Sequence, residues 1–186
     1  MIKKLNKLRE QFKDYNIDGY VIPKNDEFFS EYAKIDRLRY ISNFSGSAGY
    51  AVILKNKNYL FVDGRYTVQA NEQSGKAFKI ITLPFLINKK KINLKKKKIG
   101  FNPKLFNEPF IKYFSKKINI DCIPLNNDLL NFLRKKKSLA IKKKFYTLDN
   151  SIVGQSSSSK LKNLKKYLDK NNINIMLVTS SENVAW

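Results

Sequence analysis

Apolar positions along the chain change period several times, and each change marks an element. Leu5, Leu8 and Phe12 recur at helical spacing between residue 3 and about residue 15. Gly19 then precedes the run Tyr20-Val21-Ile22, which stops at Pro23, so the order opens helix, turn, strand. From Glu27 to Ser42, Tyr32, Ile35 and Tyr40 stand among charges, a pattern that predicts an irregular or helical connection before Gly46-Ser47-Ala48-Gly49 turns the chain. Two β-rich segments, residues 50–54 and 59–62, flank the polar Lys55-Asn56-Lys57-Asn58, which predicts a hairpin with a four-residue loop. Asp63-Gly64 leads into a helix that runs to about Gln73 and stops at Gly75.

Further strands are expected at 77–81, before Pro84, and at Lys98-Ile99-Gly100-Phe101. Pro103 should open a helix with Leu105, Phe106, Phe110 and Phe114 inward. Residues 119–123 read as strand again, and Asp128 as the cap of a helix carrying Leu129, Leu130 and Leu133. Strands and helices alternate, but a hairpin cannot sit in a purely parallel sheet. The expected fold is α/β, a mixed and partly antiparallel sheet flanked by helices over residues 1–137.

A boundary falls near Lys135-Lys136-Lys137, and the pattern restarts. One of Ser156 to Ser159 should cap a helix bearing Leu161, Leu164 and Leu168, and residues 173–178 form an apolar run that predicts a strand. Residues 138–186 thus read as the incomplete start of a second α/β domain, because one helix and one strand bury too little surface to stand alone.

Composition adds limits. At 186 residues, 42% hydrophobic and 28% charged, the chain has core material for a globular fold. No apolar stretch approaches the roughly 20 residues that span a bilayer, and no apolar segment follows the first lysines, so a cytoplasmic protein without a membrane partner is expected. The formal net charge of +22 would suit a nucleic-acid binder, yet all but five of the 37 basic residues are lysine. Base and phosphate readers lean on arginine's fork, and Lys, Asn and Ile together are what A/T-rich codons favour, so no nucleic-acid partner is expected. A small basic nucleic-acid-binding protein is the alternative. The absence of histidine excludes Ser-His-Asp and Cys-His catalysis and His-ligated zinc within these residues. Cys122, the one cysteine, cannot form an internal disulfide and reads as the end of a buried strand.

Individual residues leave alternatives open. Gly46 to Gly49 could pass for a phosphate loop, but a strand follows where a helix N-terminus would be needed, so a tight turn is the better reading. Asp63 and Arg65, two apart at a strand end, share a face and could form an ion pair. Asp26 and Glu31 could be metal ligands or solvated carboxylates. The lysine run from Lys89 to Lys98 could bind polyanions or be a solvated loop, and it has almost no interleaved aromatics.

Three segments taken in order, Asp26-Glu27-Phe28-Phe29-Ser30-Glu31-Tyr32, Phe44-Ser45-Gly46-Ser47-Ala48-Gly49 and Val62-Asp63-Gly64-Arg65-Tyr66 followed by Gln69-Ala70, resemble the creatinase/prolidase-type N-terminal domain of the Xaa-Pro aminopeptidases. The resemblance continues through Ile99-Gly100-Phe101-Asn102-Pro103 and, past the boundary, through Lys160-Leu161 to Asn183-Val184-Ala185-Trp186. Phe28 stands where that family usually shows histidine and is expected to supply packing there; Asn43 replaces a common glycine.

This resemblance implies a metal-dependent enzyme that removes an N-terminal residue preceding proline. Its two divalent metals, expected to be manganese, would be held by two aspartates, a histidine and two glutamates of a C-terminal domain of pita-bread fold. It also implies that Arg65 binds the peptide substrate, that the enzyme is a homo-oligomer, expected to be a dimer, and that this part supplies subunit contacts and one wall of the substrate entrance. No catalytic or metal-binding residue is assigned to the chain itself, which alone would be inactive. An inactive regulatory paralogue fits the same residues.

Overall fold

The structure is a computed structural model that describes residues 1–30, 33, 35–83, 92, 94–131 and 146–186. The chain divides into two compact units, Met1–Lys135 and Lys136–Trp186.

In the first unit α1 (Ile2–Glu10) buries Leu5 and Leu8, and Phe12 follows them into the core from the turns that end the helix. The helix is shorter than its apolar spacing predicts, because the chain tightens through Asn16 in the left-handed region (φ 49°) to enter β1 (Gly19–Pro23). Short α2 (Arg37–Ser42) is capped by Asp36, whose side chain accepts from the Arg39 amide, and ends on Asn43 at φ 66°. Asparagine tolerates that conformation better than most residues with a Cβ, which is how it can occupy a position often held by glycine.

A hairpin of β2 (Gly49–Leu54) and β3 (Asn58–Asp63) follows, as expected. Its loop is shorter than four residues: Asn58 pairs with Ile53, and the Leu54 amide donates to the Lys57 carbonyl at 2.8 Å. A single 3-10 turn (Gly64–Tyr66) joins β3 to α3 (Thr67–Ser74), which leads to β4 (Lys79–Leu83). Then come β5 (Lys98–Phe101), α4 (Glu108–Ile118) and β6 (Asp121–Pro124). Pro103 does not open α4 but a separate 3-10 turn, Pro103–Leu105, after which Phe106 is extended and Asn107 caps the helix. The proline's missing N–H suits a first turn, while Asn107, accepting from the Phe110 amide, gives the longer helix its start.

The sheet is mixed, in the order β4-β3-β2-β1-β5-β6. β2 pairs antiparallel with β1 and β3, and the other pairings are parallel, so among these strands β2 runs against the remaining five. Both faces are buried. Tyr20, Ile22, Ala51, Ile53, Leu60 and Val62 pack with α1 and α2 on one face. Val21, Tyr50, Val52, Tyr59 and Phe61 alternate onto the other, with Phe114 of α4. Tyr50 stacks on Phe61 (centroids 4.5 Å apart) and meets Phe114 edge-on.

Past β6, Asp128 caps a turn and not a described helix: its side chain accepts from the Leu130 amide at 3.0 Å. Leu133 and residues 84–91 of the expected elements lie outside the described residues.

The second unit contains α5 (Asn150–Val153), α6 (Ser157–Lys170) and α7 (Ser181–Ala185). Ser156 caps α6, accepting from the Ser159 amide. The strand predicted at 173–178 does not form. Among the described residues no strand lies beside them to take their backbone hydrogen bonds, and Ile175 and Leu177 face solvent. Among the described residues, no helix is long and apolar enough to cross a membrane.

Candidate functional site

Because β2 is reversed, its amino end lies beside the carboxyl ends of β1 and β3, and the three sequence segments meet at that end of the sheet. The Lys24 amide donates to the Gly49 carbonyl (3.1 Å), joining the exit of β1 to the start of β2. Beyond it, Asp26 folds the loop back on itself, accepting from the amides of Phe28 (2.9 Å) and Ser30 (3.0 Å). That role is local, a capped turn, and the metal reading of Asp26 finds no support there. Glu31 lies outside the described residues. Phe28 does not pack: it is 85% exposed, because the turn directs it outward. Its neighbour Phe29, held at φ 60°, lines an open cleft of about 130 Å³ with Pro23, Tyr50, Leu105, Phe106 and Phe110.

The second and third segments are locked together. Phe44 meets Tyr66 edge-on at 5.9 Å, and the Ser47 and Tyr66 hydroxyls are 2.8 Å apart. Ser45 receives a hydrogen bond from Gln69 (2.9 Å) and donates its amide to Gln73 (2.9 Å). Gly46 lies so close over Phe44 that a Cβ there would stand 2.2 Å from the ring. These contacts make a fixed turn leading into a strand, and no phosphate loop.

Arg65 sits at the rim of this turn. The Asp63 carboxylate accepts from both the Arg65 amide and Nε, each at 2.9 Å, and the guanidinium lies 5.6 Å from the Tyr66 ring centroid. Those hydrogen bonds hold the Asp63 carboxyl below the usual carboxylate range. The ion pair read from the sequence is therefore present, and it aims a side chain that is 76% exposed.

Sequence reasoning missed the charged cluster behind the loop. Buried Arg37 donates to Asp128 (2.6 Å) and Glu27 (3.0 Å), and Lys24 pairs with Asp36. Ninety-one residues separate Arg37 from Asp128, and neither belongs to a periodic pattern. Among the described residues no group of three metal-ligating side chains converges, and Glu27, Asp36 and Asp128 are each paired with a cation. That donor set does not fit a divalent metal pair.

Burial pushes the Cys122 thiol up to about 11, with a hydrogen bond to Ser115 acting against it, so the half-buried thiol stays protonated near neutrality.

The profile of the creatinase/prolidase N-terminal domain matches residues 4–135. The chain belongs to this family. Its similarity to curated members extends further than the domain. Xaa-Pro aminopeptidase 1 of Dictyostelium discoideum is 31% identical over 204 residues, a match that takes in 99% of this chain and 32% of that protein. The chain thus spans about a third of the length of such relatives. Among solved structures, an X-prolyl aminopeptidase from Caenorhabditis elegans, described as a cytosolic enzyme with a di-nuclear active site, superimposes with a TM-score of 0.62 at 23% identity, over 92% of this chain and 31% of that one. The N-terminal domain of a cytoplasmic peptidase from Mycobacterium tuberculosis gives 0.53 at 19% identity, over 71% and 98%. At those identities the likeness is one of fold, a mixed sheet with flanking helices, and the family rests on the profile match.

Proposed function

We propose that this chain is the N-terminal, non-catalytic part of a metal-dependent Xaa-Pro aminopeptidase, an enzyme that removes an N-terminal residue preceding proline. The supporting observation is the reach of the similarity: it runs past residue 135 through the second unit, where a match to the N-terminal domain alone would stop. Residues 1–137 serve as the N-terminal domain and 138–186 as the start of a second α/β domain. The two divalent metals, manganese in this reading, are held outside this chain, which fits the lack of a converging metal-ligand cluster among the described residues. These residues alone hydrolyse nothing. They contribute subunit contacts in a cytoplasmic dimer and one wall of the substrate entrance.

In this reading Arg65 reaches the peptide. Asp63 fixes its Nε, which orients the planar guanidinium before substrate arrives and lowers the entropy lost on binding. The test is steady-state hydrolysis of a series of Xaa-Pro peptides by the full-length enzyme and its Arg65→Ala variant. A charge-assisted hydrogen bond contributes about 1.5–3 kcal/mol, so KM should rise by roughly 10- to 100-fold with kcat less affected. Unchanged KM at every peptide length would remove Arg65 from the substrate site, and failure of the full-length enzyme to cleave any Xaa-Pro bond would overturn the functional reading.

A further inference from the structure

The opposite end of the sheet, where the parallel strands begin, carries a second candidate site. An open cleft of about 320 Å³ lies between the turn that ends α1, the β2–β3 hairpin loop and the start of β5. That volume is at the lower end of the range for small-ligand sites. Its polar lining is Lys13, Asn16, Asp18, Lys55 and Lys98, over a floor formed by the buried side chains of Phe12 and Ile17.

Asp18 is the acid in this lining, and both of its oxygens are engaged. Oδ2 accepts from the Lys98 backbone amide at 3.0 Å, and Oδ1 faces the Lys55 ammonium at 3.8 Å. Lys13 and Lys98 have no ion-pair partner among the described residues. At the other end of the sheet Lys24, Arg37 and Arg65 each have a carboxylate within ion-pair distance. Lys57 lies on the same hairpin loop as Lys55, and Asp121 stands opposite Lys98 in the sheet without an ion pair to it, so the lining itself carries three ammonium groups against the one carboxylate of Asp18.

We propose that this cleft binds a small oligophosphate, through the ammonium groups of Lys13, Lys55 and Lys98. The lining holds lysine and no arginine, and lysine binds phosphate as a point charge, so three ammonium groups on flexible stems suit the clustered charge of linked phosphates. A nucleic-acid strand would need exposed rings on which bases stack, and the aromatic residue of the cleft, Phe12, is buried beneath it. The inference does not depend on the peptidase reading.

The test is isothermal titration calorimetry of sodium triphosphate into the full chain at fixed ionic strength. One-to-one binding is expected, weakened at least tenfold by Lys13→Ala combined with Lys98→Ala. The same charge removed from α6, by Lys162→Ala with Lys165→Ala, should change affinity less than twofold. Circular dichroism and melting temperature verify that each variant is folded, and Lys55→Ala alone should weaken binding as an independent check. Equal losses from both double variants would show diffuse attraction and overturn the proposal. So would absence of one-to-one binding, or tighter binding of a single-stranded RNA oligonucleotide that triphosphate does not displace.

Discussion

Arg37 and Asp128 show what a buried charge demands. Each side chain is less than 5% exposed, and each is the other's principal counter-charge. Burial by itself disfavours the charged guanidinium, but Asp128 and then Glu27 more than offset it, and the net effect favours the charged form. Asp128→Ala should therefore cost about 3–5 kcal/mol, read from the urea midpoint, whereas replacing both residues by apolar ones of similar volume should cost far less. Cys122 gives a prediction of the other kind. With its thiol raised to about 11, alkylation by iodoacetamide at pH 8 should be about two orders of magnitude slower than for an unburied cysteine. The rate should keep climbing with pH up to that value, since the thiol is protonated below it and ionised above. An ordinary thiol would level off near its own value of about 8.5. At this scale the sequence was readable where a motif was short: Asp63 and Arg65 are two residues apart, and their pairing follows from spacing. It was unreadable for Arg37 and Asp128, which only the folded chain brings together, and misleading for Phe28, whose hydrophobicity suggested packing that the Asp26 turn prevents.

Elements were legible where the pattern of side chains decides them locally. The hairpin of β2 and β3 is one case, since aromatic and β-branched residues on both strands leave no competing helical period. The end of α1 and the start of α4 were less so, because a left-handed Asn16 and the cap at Asn107 depend on where the next strand must begin. The apolar run at 173–178 has a strand's composition, yet composition cannot supply a hydrogen-bonding neighbour. Gly49 offers a direct test of how tightly the hairpin is built. At φ 153°, its added Cβ would stand 2.6 Å from the Phe61 carbonyl oxygen. Gly49→Ala should destabilise the first unit by about 1–3 kcal/mol and speed amide exchange at the open end of β2 and β3, where Gly49 faces Val62. Leu60→Ala, in the fully buried centre of β3, should cost about 2–5 kcal/mol without that local signature.

For the whole chain, a net charge of +22 means that compaction works against self-repulsion. Adding sodium chloride from about 10 to 200 mM should raise the melting temperature, because screening relieves the repulsion of a large net positive charge more than it weakens a buried pair such as Arg37–Asp128. A falling melting temperature would show that paired charges dominate. The order β4-β3-β2-β1-β5-β6 carries one more consequence, for the rate at which the molecule forms. Strands β1 to β4 add to one another in the order they leave the ribosome, but β5 must return to the far side of β1, with Gly19 meeting Ile99. Until it does, the edge of β1 is bare, with an all-apolar interior sequence that is a template for intermolecular pairing. Closure of that edge is then the aggregation-exposed step in folding, and substitutions that weaken β5 should slow folding and raise the yield of aggregate together.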